Sequence, residues 1–385
     1  MNLSWRCELK KRRRLVLHSA VLAVALSVLT ITSIVSAQDA KLSPEKHAQV
    51  ESAIAKFMSA NSVPGVSAAI VENGQYEWSQ GYGMADLENF VPATARTMYR
   101  LASLSKPLTA TAAMQLWERG KLNLDAPVQN YCPTFPQKEW PITTRQVLGH
   151  LGGIRHYRTD SQDDPEVGNT KHFADGIAAG LKFFANDPLL VKPGIKFSYS
   201  TQGFTLAGCA IEGASGEKYV EFLRKNVFIP AGMTNTVADD RYAIIPLRTR
   251  FYHKDKSGRV VNAEFLDSSY KIPGGGWLSS AEDMARFEVA ILGDQLIHRA
   301  TRDVMWTPQK TADGSKNDYA LGWGTGKELG VADVGHGGGQ QGTSTFIMLV
   351  PERRAGVVVL SNMDSVDVSS LSAELMKIIL GIPVK

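Results

Sequence analysis

The chain has 385 residues, 44% of them hydrophobic, and a formal net charge of +4. Residues 1–37 hold six basic groups and one acid, a net of +5, which leaves −1 for residues 38–385. The basic balance therefore belongs to the amino end, and it gives no reason to expect nucleic acid as a partner of the rest.

In chain order, the first predicted element is a targeting segment. Lys10, Lys11, Arg12, Arg13 and Arg14 precede an apolar run from Leu15 to Val35, and Val35-Ser36-Ala37 offers small residues for cleavage before Gln38. The pattern predicts a secretory signal peptide over residues 1–37, and so a periplasmic or secreted protein. The run is long for a signal, so an uncleaved membrane anchor with the domain facing outward is the alternative. The paired arginines also allow twin-arginine export, which ranks lower. Residues 38–385 suffice for one large domain or two lobes. They hold two cysteines, Cys132 and Cys209. An oxidising compartment permits them to pair, but Cys209 lies in an apolar helical stretch and reads as a buried free thiol.

Val50, Ile54, Phe57 and Met58 have helical spacing, which predicts a helix over 47–58. Val66 to Val71 reads as a strand, Asn73-Gly74 as a hairpin turn, and Tyr76 to Tyr82 as the partner strand. Next, an apolar lead-in from Met98 to Ala102 delivers the chain to Ser103-Leu104-Ser105-Lys106, and a helical pattern follows with Leu104, Leu108, Ala112 and Leu116 on one stripe. A Ser and a Lys three residues apart share one face of a helix. At a helix start, unpaired N–H groups favour a developing anion, and the dipole plus burial lower the Lys pKa so that it can act as a base. Pro107 is tolerated near the first turn. The motif is common: Ser43/Lys46, Ser215/Lys218 and Ser268/Lys271 also match. The default reading of any one is a solvated Lys beside a cap, and only Ser103 joins an apolar lead-in to a long helix.

The middle of the chain has helical patterns, loops and an acidic insert around Asp163-Asp164. Tyr199-Ser200-Thr201 follows Lys192-Pro193-Gly194 and precedes another helical pattern. A Tyr in a loop beside a Lys can shuttle a proton to a leaving group if its pKa is lowered; alone, it reads as a half-buried Tyr with a bonded hydroxyl. Late in the chain comes Gly335-His336-Gly337-Gly338-Gly339. Its glycines allow a substrate to approach the backbone, and a free N–H there could supply half an oxyanion hole. For His336 the choice is between a direct role and a hydrogen-bonded strand residue. An α/β-hydrolase is excluded because no Gly-x-Ser-x-Gly elbow exists. Gly337 to Gly342 matches a dinucleotide fingerprint, but strands follow it where a helix is needed. There is no His-Glu-x-x-His, and His150 and His156 lack ligand spacing, so no metal or cofactor is expected. Thr345 to Val350 and Gly356 to Leu360 read as strands joined by a turn, and Ser369 to Leu380 as a closing helix. Strands thus come from both ends of the chain. The expected fold class is α+β: an antiparallel sheet flanked by N- and C-terminal helices, with a mostly helical inserted lobe.

Ser103/Lys106, Tyr199 and His336-Gly337-Gly338, in that order, resemble the three motifs of the serine β-lactamase and penicillin-binding protein superfamily, in its class C-like branch. The chain is more closely similar to the serine β-lactamase-like proteins known from mitochondria and their bacterial relatives. The matching stretches are His150 to Tyr157, Tyr199 to Thr201, Asp267 to Lys271 and Gly274 to Ser279, within a similarity running from about residue 45 to about residue 363. The resemblance implies Ser103 as nucleophile, Lys106 as its base, and Tyr199 as the assisting group that protonates the leaving group. It implies an oxyanion site at the N–H groups of Ser103 and Gly339, and substrate contacts from Thr201, His336, Gly338 and Gly339. Two departures stand out. The family usually has Asn where Thr201 stands and Lys-Thr-Gly where His336-Gly337-Gly338 stands. The second change removes a fixed charge and a hydroxyl that would bind a substrate carboxylate. The expectation is therefore an exported serine hydrolase of peptidase or esterase type, with a small-molecule or peptide substrate. A true β-lactamase and a catalytically silent binding or assembly protein on the same fold are the alternatives.

Overall fold

Ser43-Pro44 starts the first helix. The Ser43 side chain accepts from the Lys46 N–H and Pro44 occupies the first turn, so α1 (Pro44–Asn61) begins three residues before the start expected at residue 47. The computed structural model describes residues 42–159, 164, 166–327 and 329–383. The expected signal peptide or anchor over 1–37, and Asp163 of the acidic insert, lie outside the described residues. Among the described residues, no helix is long and apolar enough to cross a membrane.

Seven strands form the main sheet: β1 (Gly65–Glu72), β2 (Gln75–Asp86), β3 (Val91–Pro92), β4 (Gly324–Gly326), β5 (Asp333–Gln340), β6 (Thr343–Val350) and β7 (Ala355–Ser361). Their order across the sheet is β3-β2-β1-β7-β6-β5-β4, all antiparallel. The two ends of the chain meet where β1 pairs β7, with Ala68 opposite Val359. At the predicted hairpin, Asn73 and Gly74 both take positive φ (55° and 77°), the pair of conformations a two-residue hairpin needs.

Both faces of the sheet are covered, which is why its central strands are apolar throughout. Val66, Ala68 and Ile70 of β1, with Val357 and Val359 of β7, pack in the core under α1 and the closing helix, α5 (Val368–Leu380). Their neighbours Ala69, Val71, Val358 and Leu360 point the other way, into a larger core shared with α2 (Ser105–Glu118), α3 (Thr201–Ser215) and α4 (Ala281–Leu292). This is the expected α+β arrangement of sheet, terminal helices and helical lobe.

One expectation fails. Cys209, on α3, is disulfide-bonded to Cys132 rather than free. The cysteines are 77 residues apart in sequence, yet their Cα atoms lie 5.4 Å apart, because α3 packs back on the segment that carries Cys132. Helical spacing alone carries no sign of that approach.

Candidate active site

Ser103 stands at a strained corner. The strand Tyr99–Arg100 leads into a 3-10 turn, Ala102–Leu104, and α2 follows directly. Ala102 has φ of 48°, in the left-handed region, which costs of the order of 1–3 kcal/mol for a residue with a Cβ. Leu101 pins this corner: its N–H donates to Trp277 O at 2.9 Å, and its carbonyl accepts from Thr345 Oγ1 at 2.9 Å. Ser103 is left half-buried on the wall of a cleft of about 800 Å³. The predicted apolar stripe of α2 is buried, but so is every other residue from Ser105 to Leu116, because the helix runs through the centre of the lobe.

Lys106 is fully buried, with Nζ 2.9 Å from Ser103 Oγ, 3.1 Å from Thr201 Oγ1 and 2.8 Å from Gly274 O. Gly274 O can only accept. Burial, and then the charge of Lys271, push the Lys106 pKa well below its ordinary value. A neutral amine has two N–H donors and one lone pair. Nζ donates to Ser103 Oγ, Thr201 Oγ1 and Gly274 O; in the neutral amine two N–H groups still serve Thr201 and Gly274, and the lone pair can take the Ser103 hydroxyl proton.

Tyr199 O–H donates to Ser103 Oγ at 2.8 Å. Its expected lowered pKa is not found. Burial pushes the phenol up to about 12, against the opposing effect of its bonds to Ser103 and Thr201. Tyr199 therefore stands as a protonated donor and not as a phenolate base. Two histidines hold the segment that carries it. His150 Nδ1 accepts from Ser200 N–H at 3.1 Å, and His156 Nδ1 accepts from Thr201 N–H at 3.2 Å. Both roles need an unprotonated nitrogen. Burial foremost, helped by the Lys106 charge, lowers both rings, His156 to about 4. Ser200 caps α3 by accepting from Gly203 N–H at 2.9 Å, which fixes Thr201 in the first turn beneath Lys106.

The third motif lies on β5, across the cleft. His336 is buried; its Nδ1 lies 2.6 Å from Gly337 O, and its Nε2 lies 2.8 Å from the Tyr319 hydroxyl. A carbonyl only accepts, so Nδ1 carries the proton and Nε2 accepts from Tyr319. Burial lowers the ring to about 3, so it is neutral. Its side chain is not among the cleft-lining groups, whereas Gly337, Gly338 and Gly339 are. His336 shares the face of β5 that carries Gly338, where its buried ring lies 6.4 Å from that of Tyr199 and supports the site from beneath the lining residues. A Cβ on Gly338 would come within 2.4 Å of both Leu101 O and Thr345 Oγ1 and 3.1 Å from Ser103 N, so only glycine lets β5 come this close to the Ser103 corner. A Cβ on Gly339 would meet nothing within 4 Å.

The geometry brings together Ser103, Lys106, Tyr199, Thr201, Gly338 and Gly339, with His336 buried beside Tyr199 rather than on the cleft surface. Sequence reasoning missed His150, His156, Gly274 and Lys271. All four fall in stretches that carry the family resemblance, which was the available signal. Of the other Ser-x-x-Lys matches, Ser215/Lys218 fits the default reading, with Ser215 closing α3 against Glu217 N–H; Ser43 caps α1, but Lys46 is half-buried and paired with Glu72 at 2.6 Å.

The family model for beta-lactamase matches residues 50–375. The mitochondrial serine beta-lactamase-like protein LACTB of Homo sapiens is 31% identical over 415 residues, covering 81% of this chain and 76% of the relative. Among solved structures, the octameric penicillin-binding protein homologue from Pyrococcus abyssi superposes with a TM-score of 0.74 at 28% identity, covering 87% of this chain and 78% of that one. A D-stereospecific amidohydrolase from Streptomyces sp. does so with a TM-score of 0.70 at 25% identity, covering 86% and 97%. With a family match over most of its length and a relative this similar, the chain belongs to the beta-lactamase family of serine hydrolases.

Proposed function

We propose that this protein is an exported serine hydrolase that cleaves an amide or ester, of peptidase or esterase type, through an acyl-enzyme on Ser103. The observation that carries this reading is the approach of the fully buried Lys106 Nζ to Ser103 Oγ at 2.9 Å, with the Tyr199 hydroxyl 2.8 Å from the same oxygen. Ser103 Oγ attacks the carbonyl carbon as its proton passes to Lys106 Nζ. The carbonyl oxygen becomes an oxyanion facing the N–H groups of Ser103 and Gly339. Collapse breaks the bond to the leaving atom, which receives the Lys106 proton by way of the Tyr199 hydroxyl. Water then attacks the acyl carbon and gives a proton to Lys106, which returns it to Ser103 Oγ as the acid departs. His336, buried and neutral, supplies none of the charge that a Lys in its place would bring, and this favours a peptidase or esterase over a β-lactamase. Export is supported by the basic-then-apolar segment over residues 1–37.

Turnover of p-nitrophenyl acetate beside a chromogenic cephalosporin tests the reading. The ester is hydrolysed, the cephalosporin is a poor substrate, and Ser103→Ala loses roughly a thousandfold or more on the ester. Ester turnover that survives Ser103→Ala rejects the assignment.

A further inference from the structure

The fourth Ser-x-x-Lys match, Ser268/Lys271, is not the solvated loop that its sequence suggests. Ser269–Lys271 forms a 3-10 turn leading into the short helix Ile272–Gly275, whose Gly274 carbonyl holds Lys106. Lys271 is 3% exposed, yet it lines the same cleft as Ser103 and Tyr199. Among the described residues, no hydrogen bond or ion pair reaches its Nζ, which stands 5.3 Å from the ring centroids of both Tyr157 and Tyr270. The carboxylate whose charge it feels is Asp239, and Asp239 is already taken by Arg100 at 2.8 Å and Arg248 at 3.8 Å.

A buried ammonium without a counter-ion is costly unless a negative partner arrives. Burial lowers Lys271 to about 7, and an anion beside it would restore its charge. The other basic side chains of the cleft are placed differently: His156 keeps Nδ1 unprotonated to accept from Thr201 N–H, and His253 is only half-buried. Lys106 is held by Ser103, Thr201 and Gly274, Lys254 is exposed, and no guanidinium lines the cavity. His336 is buried and neutral.

We propose that Lys271 is the anion anchor of the cleft, and that the substrate is an ester or amide bearing a carboxylate that pairs with Lys271 Nζ while its carbonyl lies at Ser103. This rests on the hydrolase reading above. A carboxylate fits better than a phosphate, because one ammonium neutralises one charge and a dianion would bring a second, uncompensated charge into a buried site.

The test uses two matched pairs of esters. One carries the carboxylate on the acyl side: p-nitrophenyl succinate against its methyl ester. The other carries it on the leaving group: 3-acetoxybenzoate against methyl 3-acetoxybenzoate. In the wild type, the charged member of at least one pair is expected to have a kcat/KM roughly tenfold or more above its neutral twin. In Lys271→Met that ratio falls toward one, while a fluorophosphonate still labels Ser103, which shows that the site remains assembled. No preference for the charged member in either pair overturns the proposal without any variant being needed. So does a preference that persists in Lys271→Met. If no ester is turned over and no fluorophosphonate adduct forms on the wild type, the hydrolase reading fails, and this proposal fails with it.

Discussion

At the residue scale, the account turns on which groups around Ser103 hold protons. Lys106 must be neutral to take the Ser103 proton, and burial places its pKa well below the ordinary 10.5. Tyr199, pushed up to about 12, must remain protonated. The sign follows: kcat/KM falls on acidification as Lys106 gains its proton, at a pH well below that of an ordinary lysine, and shows no loss from Tyr199 until the pH nears its raised pKa. A pH–rate profile on a neutral ester checks this. Activity that appears only near pH 10 would mean that Lys106 titrates as an ordinary lysine. Tyr199→Phe is expected to cost about 10²–10⁴ in kcat, the usual range for a proton donor. Ser103 and Lys106 were legible because Ser-x-x-Lys is a local pattern set between an apolar lead-in and a helix; Tyr199 was legible only through the order of the three motifs that carry the resemblance. Their supports were not. His156 meets Thr201 across 45 residues, and Gly274 meets Lys106 across 168, so no local spacing records either contact. Helical context also could not foretell that Tyr199 would lose its water, which reversed its expected pKa.

At the scale of elements, β5 and the Ser103 corner must nearly touch. Thr345 on β6 holds the carbonyl of Leu101, and Gly338 fills the gap beside it. Gly338→Ala would force a Cβ to within 2.4 Å of backbone and side-chain oxygens, so β5 must retreat from Ser103. A displacement of about 1 Å at a reacting centre costs roughly a hundredfold in rate. Gly339→Ala places its Cβ in open cleft and is expected to act chiefly on substrate fit, seen in KM. Comparing kcat and KM for the two variants checks the assignment, and equal effects would contradict it. The strands themselves were easy to read, since apolar runs separated by Asn-Gly or by Pro351 to Arg354 leave few alternatives. The disulfide was not readable, because pairing depends on where α3 packs and not on the spacing of Cys209 along it.

At the scale of the whole molecule, the fold buries ionisable groups of both kinds. His150, His336, Lys106 and Lys271 are bases with lowered pKa values, so each penalises the folded state as the pH falls below its unfolded value. Glu288 on α4 does the opposite. It is fully buried beneath the sheet, both carboxyl oxygens lack a partner among the described residues, and a Cβ on Gly356 would lie 2.6 Å from its carboxyl group. Burial raises its pKa well above 4.5. Its contribution to stability is therefore whole below the unfolded pKa and is lost as the pH rises toward the folded one, by about 1.4 kcal/mol per pH unit. Glu288→Gln removes that loss without moving the bases. The melting temperature of the variant relative to wild type should climb between pH 5 and pH 8, and a difference that stays constant would show that Glu288 is ionised in the folded protein. The overall plan was legible because strands at both ends of the chain can complete one sheet only if the middle is an excursion from it. A buried Glu on an amphipathic helix left no such trace.

The most direct test of the account is the intact mass of the protein after exposure to a fluorophosphonate, with Ser103→Ala and Lys106→Met alongside. One covalent adduct on the wild type, absent from Ser103→Ala and slowed at least roughly a hundredfold in Lys106→Met, is the predicted result. A folded wild type that gains no adduct, or a Ser103→Ala protein that gains the same one, would contradict an activated nucleophile at Ser103.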